Sequence, residues 1–108
     1  MASTFDRAMR MMRKHDPQTQ EDGFGMLKPV AAEFLGELIE AFEIETDHGL
    51  KCWLLELIGD ARSNDALELL ARGINGDDDS LRSWAERGLR ALNSKPARTV
   101  LSDHGYSV

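Results

Sequence analysis

The chain has 108 residues, 19 acidic and 13 basic, for a net charge of −6, and 42% of its residues are apolar. That length supports one small core rather than two, and the composition is that of a globular chain. No apolar run is long enough to span a bilayer, and the acidic balance is the reverse of a nucleic-acid binder's basic footprint.

Ser3 and Thr4, followed by Asp6, offer an N-cap and an acidic first turn. Phe5, Ala8, Met9 and Met12 then recur at helical spacing, which predicts a short amphipathic helix over 4–14. Asp16-Pro17 is a cap followed by proline at the first helical position, so a second helix runs to Leu27, weakened by Gly23 and Gly25. Pro29 should begin or kink the third and longest helix, 29–44. Its apolar face is Val30, Phe34, Leu35, Leu38, Ile39 and Phe42, and its other face carries Glu33, Glu37, Glu40 and Glu43. Thr46-Asp47 caps a helix over 48–58, and Gly59-Asp60 reads as its stop. Ser63 caps a helix over 64–74, ended by Gly76. The Asp77–Ser80 stretch caps one over 80–92, and Ser94 caps a short last helix through Leu101. The polar end, 102–108, reads as a flexible tail. No strand alternation or hairpin signal appears.

A shift of 31 residues superimposes the chain on itself. Asp16, Asp47 and Asp78 coincide, as do Leu50 and Leu81, Trp53 and Trp84, Ser63 and Ser94, and Ala66 and Ala97. The first copy is poorer, but Leu27 meets Ile58 and Leu38 meets Leu69. A fixed period covering two helices marks an α-solenoid, in which stacked hairpins share a core that none could form alone. The segments Leu50–Ile74 and Leu81–Leu101 resemble the HEAT-repeat family in its short bacterial, phycobilisome-lyase-like variants. The resemblance implies a right-handed α-α superhelix of about three hairpins, at 16–46, 47–77 and 78–101, with residues 1–15 as an N-terminal capping helix. The period is shorter than the usual HEAT length of about 40–47 residues, and proline opens a lengthened second helix in the first copy.

Charge is concentrated. Residues 21–48 hold eight acids against Lys28 alone, a balance of −7. Glu33, Glu37 and Glu40 are spaced to share one helix face, with no Lys or Arg in that helix to relieve them. The resemblance places second helices on a concave surface, where Glu68 falls on Glu37 at the repeat offset. These four glutamates are the candidate partner-binding residues. Trp53 and Trp84 are expected to pack between repeats, and the Phe5/Met9/Met12 stripe to cap the N-terminal end.

No catalytic constellation is read. Asp47-His48, Asp103-His104 and His15-Asp16 are isolated pairs without helical zinc spacing. Cys52, the single cysteine, can form no internal disulfide and reads as a packed thiol. Glu56 and Asp60 form no acid/base site. The expectation is a non-enzymatic, cofactor-free, metal-free binding module with no membrane or nucleic-acid partner. The start of the chain lacks the basic and apolar regions of a secretory leader, so the expected compartment is the cytoplasm. Its protein partner carries a basic surface. The resemblance makes an immunity protein that masks a basic toxin the first specific expectation, with a scaffold or homo-oligomer and a lyase-like small-molecule handler as alternatives.

Overall fold

A computed structural model describes residues 3–108, all outside strands and mostly helical. Met1 and Ala2, which open both the expected leader-free start and the 1–15 capping segment, lie outside the described residues. The seven helices are α1 (Thr4–Met12), α2 (Pro17–Leu27), α3 (Leu35–Ile44), α4 (His48–Asp60), α5 (Leu67–Ile74), α6 (Asp79–Leu92) and α7 (Lys95–Asp103). Among the described residues, no helix is long and apolar enough to cross a membrane.

Helix starts follow local chemistry. The side chains of Asp16, Asp47 and Asp78 accept the amides of Thr19, Leu50 and Leu81 at 3.0, 2.8 and 2.9 Å. Each thereby satisfies a donor that the first turn leaves without an intrahelical partner. Ser3 and Ser94 cap α1 and α7 in the same way. Ser63 instead accepts the Asp65 amide and caps a 3₁₀ turn, Asn64–Ala66, that leads into α5.

The third helix differs from expectation. Pro29 sits in a 3₁₀ turn, Lys28–Val30, and residues 31–34 form further turns before α3 begins at Leu35. The Glu33 amide donates to the Val30 carbonyl at 3.0 Å and the Phe34 amide to that of Ala31 at 3.2 Å, so three-residue closure interrupts the α ladder there. The last helix also runs two residues further than its apolar pattern. Gly105, at φ +86°, takes the left-handed position after it. The amides of Gly105 and Tyr106 bond the carbonyls of Ser102 and Leu101, a Schellman closure. Tyr106 then packs on the core, and Arg90 holds the Ser107 carbonyl at 2.8 Å.

The core runs through the length of a molecule measuring 42 × 25 × 21 Å. Leu27, Ile58 and Leu89, spaced 31 residues apart, are all fully buried, as are Ala66 and Ala97. α1 packs on α2, α3 on α4, α4 on α6, and α5 on α6 and α7. The α4–α6 crossing is set by a glycine pair. A Cβ on Gly59 would stand 3.0 Å from the Cα of Gly88, and one on Gly88 would meet Leu70 at 2.9 Å. α4 does end at Asp60, but Gly59 is no left-handed cap: it is helical and buried, and its missing side chain lets the backbones approach. The left-handed residue after α4 is Arg62, at φ +49°.

Candidate functional site

The four predicted glutamates separate into two groups. Glu37 and Glu40 project from α3 and Glu68 from the first turn of α5, all exposed. Glu33 is exposed too, but in the turn before α3, so the three-residue helical stripe is reduced to Glu37 and Glu40. Among the described residues, none of the four makes an ion pair.

Glu43, the next acid on α3, is different. Arg72 of α5 donates to its carboxylate at 2.7 Å. That hydrogen bond, with Lys51 adding to the field, holds Glu43 below the usual carboxylate range against the opposing pull of burial. α3 is therefore relieved by cations, but they arrive from α5 and α4 and not from its own sequence. The pair also ties the two acidic rows together. Glu40 lies one turn before Glu43 on α3, and Glu68 lies one turn before Arg72 on α5, where it too favours the charged guanidinium.

Most links between elements join residues about one period apart. Arg13 meets Glu45 at 2.8 Å, Lys28 meets Asp60 at 2.7 Å, and His48 meets Asp78 at 2.8 Å. Burial pulls the Glu45 carboxyl upward, but the Asp47 and Thr46 amides and Arg13 outweigh it, leaving it below its ordinary value. The Leu81 amide lowers Asp78, burial opposes it, and His48 lowers it further.

The histidine-cysteine neighbourhood is richer than isolated pairs implied. His48 and Cys52 are i, i+4 neighbours on α4, with Sγ 3.9 Å from Nε2. The same Nε2 faces Asp78, so one nitrogen serves both contacts, whereas a thiol relay needs a base held through its other ring nitrogen. Burial, then Asp78, pushes the Cys52 thiol up, away from thiolate. Among the described residues, no set of three His, Cys, Asp or Glu side chains is arranged to hold a metal ion.

Both tryptophans are half-buried at the edge of the core. Trp53 lies against Phe24 of α2, ring centroids 5.0 Å apart, and borders a cleft of about 290 Å³ with Met12, Gln20 and Leu50. Trp84 carries the Arg87 guanidinium over its face at 4.6 Å. Glu56 and Asp60 both reach Lys28, so their charges are engaged.

A groove of about 250 Å³ was not foreseen. It lies between the C-terminal ends of α3 and α5 and the N-terminal turns of α4 and α6. Phe42, Leu69 and Leu81 give it a predominantly apolar lining, Gly73 and Gly76 border it, and Lys51, Arg72, Asp77 and Asp78 rim it. Its lining comes from four elements, so no single stretch of sequence announces it.

No protein-family model matches the chain, and neither a curated protein nor a solved structure is significantly similar to it.

Proposed function

We propose that this chain is a non-enzymatic protein-binding module, built as a short HEAT-like α-solenoid, whose acidic α3/α5 face docks a basic partner. The observation that carries the reading is the row Glu37, Glu40 and Glu68. These are exposed carboxylates on two helices joined by the Glu43–Arg72 ion pair, themselves without ion pairs among the described residues. Such a field raises association rate and specificity more than affinity, and salt weakens it.

Three things support the solenoid form: caps repeating at Asp16, Asp47 and Asp78, buried positions repeating at Leu27, Ile58 and Leu89, and links spanning one period. The most specific form of the reading is an immunity-type protein that masks a basic toxin. A nuclease must present cations to phosphate, and an acidic face is complementary to them.

The test reverses three charges, Glu37→Lys, Glu40→Lys and Glu68→Lys, and measures affinity for a basic protein encoded beside this chain. Binding should fall with salt in the native protein and be lost in the triple variant at unchanged helicity. Unaltered affinity at low salt refutes the docking role.

A further inference from the structure

The apolar groove is open space on the same side of α3 and α5 as the Glu43–Arg72 link, and its charge pattern defines what would enter it. Both rim cations are engaged. Lys51 sits 4.3 Å above the Phe42 ring and 3.4 Å from the Phe42 carbonyl, and Arg72 holds Glu43 at 2.7 Å. Of the rim anions, Asp78 is shared with the α6 amides and His48, while Asp77 is exposed and makes no ion pair among the described residues. Glu40 and Glu68 stand about one turn up the two helices. The charge left unspent around the groove is thus negative, over an apolar floor.

We infer that this groove is the anchor socket of the docking face, and that it takes one large aliphatic side chain from a partner segment whose flanking residues are Lys or Arg. The inference rests on the docking reading above and adds the chemistry of the anchor. An aliphatic side chain there lies against Leu81 and the small exposed parts of Phe42 and Leu69, removing chiefly its own apolar surface from water. Flanking ammonium groups reach Asp77 and the glutamates without displacing Lys51 or Arg72. Apolar centres with charged rims are the usual anatomy of such contacts.

The test uses capped pentapeptides, Lys-Lys-Leu-Lys-Lys, its Ser-centred counterpart and Glu-Glu-Leu-Glu-Glu, titrated into the isotope-labelled protein by NMR. The Leu-centred basic peptide should shift the amides of Leu69, Arg72, Gly73, Gly76 and Leu81. The Ser-centred peptide should bind at least about tenfold more weakly, from the burial of one aliphatic side chain, and the acidic peptide should leave these amides unmoved.

Gly76→Leu supplies a blocking variant. A Cβ there meets only the Gly73 and Arg72 carbonyls, at 3.5 and 3.6 Å, in ordinary contact. This variant should keep the thermal midpoint and lose the preference for Leu over Ser. Asp77→Lys should weaken both basic peptides together. Equal binding of the two basic peptides, or an undiminished Leu preference in Gly76→Leu, overturns the socket while leaving the acidic docking face standing. A Leu preference that survives reversal of Glu37, Glu40 and Glu68 supports the socket and counts against the acidic face. No shift with any peptide at millimolar concentration overturns the socket.

Discussion

Glycine-to-alanine substitution should change sign with position in this protein, and the α4–α6 crossing gives the clearest case. In Gly59→Ala the new methyl would sit 3.0 Å from the Cα of Gly88, against about 3.5–4.0 Å for an unstrained carbon contact. The obstacle is backbone, so a rotamer change cannot remove it, and the two helices must part by about half an ångström or more. Overpacking of this kind costs about 1–3 kcal/mol, and alanine's better helix propensity returns about 1 kcal/mol. The net is a loss of up to roughly 2 kcal/mol, and about 1 kcal/mol at the middle of that range lowers the midpoint by about 4–8 °C for a domain near this size.

Gly25 and Gly36 are the internal controls. Both are helical and exposed, and a Cβ on either meets nothing within 4 Å. Alanine there should stabilise by about 0.5–1 kcal/mol. Thermal unfolding followed by far-UV circular dichroism reads both effects. If Gly59→Ala raises the midpoint, or if all three substitutions move it the same way, the close crossing is not what selects glycine at 59.

Further outcomes can be measured on the same protein. Ser94→Ala removes the acceptor for the Ala97 amide and should cost about 1 kcal/mol, seen as a lower denaturation midpoint. Asp16, Glu43, Glu45 and Asp78 are all held below their ordinary carboxyl values in the folded state. Their contribution is present above the unfolded carboxyl values of about 3.9–4.3 and is lost as pH falls through the lower folded values, so stability should decline on acidification from about pH 5 downward. An unfolding midpoint that does not fall over that window contradicts the assignment. Cys52, pushed toward the neutral thiol by burial and then by Asp78, should alkylate more slowly than a free cysteine at neutral pH. Asp78→Asn should speed it, and a wild-type rate equal to that of free cysteine refutes the shielding.

What could be read from sequence divides by the range of the interaction concerned. The aspartate and serine caps were legible because a cap acts on an amide two or three residues away, well inside any local pattern. The buried positions Leu27, Ile58 and Leu89 were legible because apolar residues recur there at one fixed sequence spacing. The break at 31–34 was not: the apolar spacing there continues as if the helix did, and only Pro29 hinted at another geometry. The neutralisation of Glu43 was invisible for a different reason. Arg72 lies 29 residues away, and nothing in α5 alone says which acid it will meet. Gly59 stands at the helix end that the sequence suggests, but its contact with Gly88 is invisible until the second helix is placed against it. The groove is the extreme case, since its apolar floor is shared among α3, α5 and α6.

The ion pairs and hydrogen bonds between helices have one more consequence. Among the described residues the longest span just 32 residues, at Arg13–Glu45 and Lys28–Asp60. Closing a loop of that size costs less chain entropy than joining distant ends, and none of these links brings the two termini together. Search for the native arrangement is then a sequence of short-range encounters, each completed once the preceding helices are in place. Contacts of this range favour faster folding than a fold that must first join its ends, and they let a nascent chain consolidate early helices while later ones are still being made.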